Sequence, residues 1–259
     1  MFGGPDFIIL GVGRSGTSFM FRSACKQEEV VRCRGNKKEI RFFNQHYSQG
    51  IGWYRKFFPH KKGISGEATP SYLFHPQAPK LIKKHFPYVK LAVVFREPVS
   101  RLWSHWRHLR KPGGGTKPFT NEWFEDVVQR DYDRIVQPDG SHDLPDHLHK
   151  PDQYLGWGCY PVYLMPWLHE FPQSRMKFFL SDHLYGKPQE TLTEFFRFIG
   201  CTKINVSEAL TERAHHKSKF KPKRQMSPEF KKKLQDFYRP YNQHFANMLG
   251  IKLPPAWDY

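Results

Sequence analysis

The chain has 259 residues, room for one large domain with a substantial core, and its 16% aromatic residues supply material for that core. Lysine and arginine outnumber aspartate and glutamate by 41 to 24, and a net charge of +17 implies an acidic partner: a nucleic acid, a polyanionic glycan or an anionic cofactor. Four scattered cysteines (Cys25, Cys33, Cys159, Cys201) exclude a disulfide scaffold and a CxxC zinc site, and no apolar run is long enough to predict a membrane span.

Residues 7–10, Phe-Ile-Ile-Leu, form a short, wholly apolar run that predicts a buried strand of a parallel sheet. A glycine-bearing turn, residues 11–18, follows at once, and a helix is expected over 17–26. Strand, turn and helix in that order build an anion cradle, because the turn's N–H groups converge and the helix N-terminus adds positive potential. The spacing GxxxxG then Thr17-Ser18 fits the triphosphate loop GxxxxGK[ST], except that Thr17 stands where the lysine should be. Such a loop suits a phosphate that needs no metal, with an ordinary glycine turn between strand and helix as the lesser alternative.

Residues 30–38 are basic and irregular, and a short helix is expected over 48–58, stopped by Pro59. A second strand is expected over 63–67, and a basic amphipathic helix over 76–86 with Leu81 and Ile82 inward. The run 90–95, Lys-Leu-Ala-Val-Val-Phe, predicts another buried strand ending at Arg96, and Pro98 opens a helix to about residue 110. Residues 111–153 read as an insertion or substrate-side loop with one helix over 121–131. Its His142, His147 and His149 fit a solvated loop better than a metal site, since no ligand pair falls on a convincing helix or strand. A helix with Pro166 inside it is expected over 158–171, and a strand over 176–180. The strongest amphipathic helix spans 188–199, with Leu192, Phe195, Phe196 and Ile199 on one face and Gly200 past its end. A basic loop at 211–225 precedes a last helix from Ser227-Pro228 to Leu249. The alternation implies α/β architecture: a single domain, 1–259, with a central parallel sheet flanked by helices.

Magnesium-dependent phosphoryl-transfer enzymes usually carry an aspartate at the end of a buried strand, but here that place holds Arg96. A guanidinium there grips an anion through a forked pair of hydrogen bonds. Ser104 follows two turns into the next helix, where its hydroxyl would face the same groove. Two phosphate sites and no metal site describe a nucleoside carrying two separated phosphates.

With residues 11–18 (GVGRSGTS), 38–59 (KEIRFFNQHYSQGIGWYRKFFP), 66–74 (GEATPSYLF), 93–108 (VVFREPVSRLWSHWRH), 158–172 (GCYPVYLMPWLHEFP) and the 226–242 segment in this order, the chain resembles the sulfotransferases that use 3′-phosphoadenosine 5′-phosphosulfate (PAPS). It is most similar to their heparan sulfate N- and O-sulfotransferase group. The resemblance implies a P-loop-type sulfotransferase fold and transfer of a sulfuryl group from PAPS to a hydroxyl or amine, without a metal. It implies that Gly13, Arg14, Ser15, Gly16, Thr17 and Ser18 hold the 5′-phosphosulfate, with Arg14 where the glycan enzymes usually have lysine. Arg96 and Ser104 match the pair on the 3′-phosphate, Glu39 the general base, and His46 is the reserve base. Lys217 or Lys219 would close over the nucleotide. Glu67 is followed by Ala68 where a lysine is usual, and the late loop lacks the group's cysteine pair; both departures bear on the acceptor.

A glycan acceptor is expected, because the stretches near Glu39 supply both cations (Lys37, Lys38, Arg41) and aromatic faces (Phe42, Phe43, Trp53, Tyr54). A small metabolite alcohol is the alternative. The competing classes are a P-loop kinase, which Thr17 and Arg96 oppose, and a non-catalytic polyanion or nucleic-acid binder, which explains the charge but not the two phosphate motifs. A cytoplasmic location is expected if these residues are the full natural chain, and the Golgi lumen if they are an excised catalytic domain.

Overall fold

The computed structural model describes residues 3–58, 62–110, 122–144, 155–212, 222 and 224–259. In chain order the strands and α-helices are β1 (Phe7–Gly11), α1 (Thr17–Ala24), α2 (Ile51–Arg55), β2 (Gly66–Glu67), α3 (Ala78–His85), β3 (Lys90–Phe95), α4 (Pro98–Leu109), α5 (Phe124–Ile135), α6 (Tyr160–Glu170), β4 (Met176–Leu180), α7 (Ser181–Gly186), α8 (Pro188–Ile199), α9 (Val206–Leu210) and α10 (Pro228–Leu249). They fall into two compact units, one from the described residues of 1–96 and 165–216, the other from those of 97–164 and 217–259.

The first unit is built on a four-stranded sheet, order β2-β1-β3-β4, in which every pairing is parallel. The fold class is therefore α/β, as the alternation of elements predicts. A strand with neighbours on both edges and cover on both faces must be apolar throughout, and Phe7, Ile8, Ile9 and Leu10 of β1 are all fully buried. One face is covered by α1 and α8. Leu192, Phe195, Phe196 and Ile199 of α8 enter a core with Phe7, Ile9, Phe19 and Phe179. Phe195 meets Phe7 and Phe179 edge-on at 5.8 and 5.9 Å. A buried phenylalanine stabilises by about 1.5–3 kcal/mol, so this aromatic cluster is a main fastening of helix to sheet.

The second strand is shorter than the expected 63–67. Ile64 bridges Val30 instead of β1, and only Gly66 and Glu67 pair with Phe7 and Ile8. The helix expected at 121–131 runs 124–135, and α7 and α9 were not expected at all. Residues 213–221, the greater part of the expected basic loop, lie outside the described residues, as do 111–121 and 145–154 of the insertion.

In the second unit Glu97 caps α4, its carboxylate accepting from the N–H groups of Val99 (2.8 Å) and Ser100 (2.6 Å). That satisfies two of the helix's free donors. Tyr259 Oη donates to the same carboxylate at 2.8 Å. Trp103, Trp106 and Phe124 tie α4 to α5, and Phe124 meets Phe230 of α10. Ser227 caps α10 by accepting from Phe230 N–H.

Two glycines test the packing in opposite directions. A Cβ on Gly66 would stand 2.5 Å from the Phe7 carbonyl oxygen, between β2 and β1, whereas one on Gly52 of α2 meets nothing within 4 Å. Gly66→Ala should lower stability by about 1–3 kcal/mol through overpacking. Gly52→Ala should raise it by roughly 0.5–1 kcal/mol. Urea denaturation of both variants reads the two signs.

Candidate active site

The turn from β1 into α1 is closed by local bonds: Val12 N–H donates to the Val94 carbonyl at 2.9 Å, and Ser15 N–H to the Val12 carbonyl at 3.2 Å. Gly16 has φ 110, and a Cβ there would lie 2.7 Å from Leu184. Only glycine combines that dihedral with so close a neighbour. Arg14 also has positive φ, 75°, a conformation that costs a non-glycine residue and collects at functional sites. The first turn of α1 holds no acidic residue, so its free N–H groups are left to attract an anion. Ser15 is fully buried, and its hydroxyl has no hydrogen-bond partner among the described residues. A buried donor without a partner is costly, and a phosphate in the turn would satisfy it. Arg96, just past the end of β3, reaches the same turn, its Nη1 donating to the Arg14 carbonyl at 3.0 Å. The donor set, hydroxyls, backbone N–H groups and two guanidinium residues, fits a phosphorylated nucleotide.

The second half of the site is the irregular segment 38–43, fixed by a buried carboxylate. Glu67 is fully buried and accepts from Tyr54 Oη (2.7 Å), Tyr72 Oη (3.0 Å), Thr69 Oγ1 (2.5 Å) and Ile40 N–H (3.2 Å). Burial raises its pKa above the ordinary carboxylate value, against the pull of these donors. The segment is also held by Ala68 N–H to the Lys38 carbonyl (2.8 Å) and Arg41 N–H to Thr69 Oγ1 (3.2 Å). Arg41 turns at φ 57 into a single π-helical turn over 42–46.

Held this way, Lys38 points at the turn. Its Nζ donates to Ser18 Oγ at 2.7 Å and to Glu39 Oε1 at 3.0 Å. Arg41 Nη2 pairs with Glu39 Oε2 at 2.9 Å. Burial pushes the Glu39 carboxyl up, but Lys38 and Arg41 outweigh it and hold the group below the usual carboxylate range. Burial lowers the Lys38 pKa, with Arg22 and Arg14 adding to the fall against the pull of Glu39.

The structure thus brings together Gly13, Arg14, Ser15, Gly16, Thr17, Ser18, Arg96 and, through Lys38, Glu39. His46 is exposed and its ring lies on Trp53 (5.6 Å), while it is Arg41 that contacts Glu39. Ser104 is half-buried on α4, in the second unit. Lys217 and Lys219 lie outside the described residues, as do His147 and His149. His142 stacks on Phe237 and bonds Tyr241 Oη at 2.7 Å. All four cysteines are free, and no cluster of His, Cys, Asp or Glu among the described residues is arranged to hold a metal ion. Among the described residues no helix is long and apolar enough to cross a membrane. Sequence reasoning treated Lys38 only as one of several nearby cations and gave Glu67 no role. The one available signal was the adjacency of Lys38 to Glu39.

Comparison with known proteins identifies the family. The family described as "Sulfotransferase domain" matches residues 4–248. Heparan sulfate glucosamine 3-O-sulfotransferase 3B1 of Mus musculus is 27% identical over 274 residues, taking in 98% of this chain and 65% of its own length. This chain therefore spans less than two thirds of that relative. Among solved structures, a sulfotransferase from Alicyclobacillus acidocaldarius superposes with a TM-score of 0.75 at 21% identity, covering 99% of this chain and 100% of that one. Mouse sulfotransferase SULT7A1 complexed with PAP gives 0.56 at 11% identity, covering 91% and 84%. Both structural likenesses are likenesses of fold.

The Lys38–Glu39 pair makes a signed prediction. A carboxylate whose folded pKa is depressed contributes stability above its unfolded pKa, and loses it as pH falls through the folded one. Lys38→Met should move the Glu39 midpoint upward in a carboxyl-carbon NMR titration and narrow that window. An unchanged midpoint would mean that Arg41 alone sets the group.

Proposed function

The chain belongs to the Sulfotransferase domain family, and on that premise we propose that it transfers a sulfuryl group from PAPS to a hydroxyl or amine of an acidic glycan. One observation carries the reading. A single ammonium, Lys38 Nζ, bonds both a hydroxyl of the phosphate turn (Ser18, 2.7 Å) and a carboxylate (Glu39, 3.0 Å), so the base and the anion cradle are joined through one group.

PAPS supplies an activated sulfuryl group on its 5′-phosphate. Sulfuryl transfer, like phosphoryl transfer, has a loose in-line transition state, and the protein's task is to position groups and to meet the charge left on the leaving phosphate. Arg14, the N–H groups of the turn and the hydroxyls of Ser15, Thr17 and Ser18 are assigned to that charge. Arg96 is assigned to the 3′-phosphate; Ser104's part in it rests on the sequence resemblance. Glu39, ionised by its two cations, takes the proton of the attacking acceptor group. His46 becomes the weaker candidate for that role, since Arg41 contacts Glu39 and His46 does not. Thr17 and Arg96 stand where a magnesium-dependent enzyme would carry lysine and aspartate, so the transfer is proposed to need no metal.

The test is transfer of labelled sulfate from PAPS to heparosan, with a chelator present. Wild type should label the polymer at a rate the chelator does not change. Glu39→Gln should lose about 10²–10⁴-fold in kcat while binding 3′-phosphoadenosine 5′-phosphate (PAP) as before. Arg96→Ala should weaken PAP by roughly tenfold or more, the worth of a charge-assisted contact, and leave AMP nearly untouched. Label on neutral alcohols alone would overturn the glycan acceptor, and equal losses for PAP and AMP would overturn the role of Arg96.

A further inference from the structure

Beside Lys38 lies a cavity of about 400 Å³, lined by Phe21, Arg22, Cys25, Arg32, Cys33, Asn36, Lys37, Lys38 and Glu212. The phosphate turn itself contributes nothing to its wall. Its volume is in the range of small-ligand pockets, and its charge is lopsided: four cations face one carboxylate. Glu212 is shared, standing 3.9 Å from Arg22 and 3.9 Å from Lys26. Arg32 and Lys37 have no carboxylate partner among the described residues; Lys37 rests over the Phe57 ring at 5.1 Å. Burial is the first cause of the lowered Lys38 pKa, and Arg22 adds to it by repulsion between crowded cations, against the pull of Glu39. An anion entering the cavity would relieve that repulsion. Phe21 and Cys25 add an apolar wall, and the Asn36 amide adds neutral hydrogen-bonding capacity.

We infer that this cavity is an acceptor subsite, taking a sugar unit that carries a carboxylate or sulfate and so presenting the neighbouring unit to Glu39. The inference rests on the sulfotransferase reading and adds to it which residues select an acidic chain. Lys38 fixes the direction of the subsite, because it lines the cavity and bonds the Glu39 carboxylate. A free inorganic anion would meet the charge but not the apolar wall, and the nucleotide's own phosphates are assigned to the turn, none of whose residues lines the cavity.

The test removes Arg32 and Lys37, both exposed and neither in contact with Glu39 or the turn, as the double variant Arg32→Gln/Lys37→Gln. Calorimetry of the PAP-loaded protein with heparosan oligosaccharide, carboxyl-reduced heparosan oligosaccharide, and sulfate ion gives binding without turnover. The labelled-PAPS assay then separates KM from kcat. The expected result is that wild type prefers the acidic oligosaccharide. The variant should lose roughly tenfold in its affinity and KM, the worth of two partly exposed pairs, with kcat, PAP affinity and binding of the reduced oligosaccharide unchanged. Binding of the acidic oligosaccharide without sulfate transfer would remove heparosan as acceptor and leave the subsite standing. Equal loss for both oligosaccharides, a loss of PAP affinity, sulfate ion bound as well as the oligosaccharide, or no binding of either oligosaccharide by wild type would each overturn the subsite.

Discussion

The geometry of the site depends on one buried carboxylate. Glu67 sits at the end of a two-residue strand, out of contact with water, and four donors converge on it. Hydrogen bonds to a charged group are worth about 1.5–3 kcal/mol each, and a buried charge without them is expensive. The donors therefore have little freedom to leave, and one of them, Ile40 N–H, belongs to the segment that carries Lys38, Glu39 and Arg41. Among the described residues that segment has no strand ladder of its own, and its other ties are single bonds to Ala68, Thr69 and Tyr72. A carboxylate that touches no proposed ligand thus sets where the proposed base stands.

The surplus positive charge has a local counterpart in the same place. Lys38 is lowered in pKa first by burial, and Arg22 and Arg14 are both close enough to add to the fall by repulsion. Glu39 answers part of that repulsion by pairing with Lys38 and Arg41. The remainder is what an anionic donor in the turn and an acidic acceptor beside it would neutralise. The same repulsion that costs folding energy becomes binding energy when an anion arrives.

Much of the fold was readable because its signals are local. The strands at 90–95 and 176–180 are mostly apolar, with Lys90 at the start of one and Lys177 inside the other, and the helices at 188–199 and 228–249 are bounded by Pro188, Gly200 and Ser227-Pro228. The helices α7 and α9 escaped because six and five residues carry too little periodicity to stand out. The second strand was overdrawn because pairing is non-local: nothing in residues 63–67 says that Ile64 will meet Val30. The site divides the same way. The anion turn is contiguous, and Arg96 follows directly on a strand, so both were visible. The contact of Lys38 with Ser18 joins residues 20 apart through the Glu67 network, which no spacing rule describes.

The most direct measurement of the central claim is phosphorus NMR of bound PAP. If the turn holds the 5′-phosphate and Arg96 the 3′-phosphate, both resonances will move on binding to wild type, Ser15→Ala will perturb mainly the 5′-phosphate signal, and Arg96→Lys mainly the 3′-phosphate signal. A 3′-phosphate resonance that stays at its free position in the wild-type complex, or variants that disturb both signals alike, would contradict two separate phosphate sites and with them the assignment of this fold to PAPS chemistry.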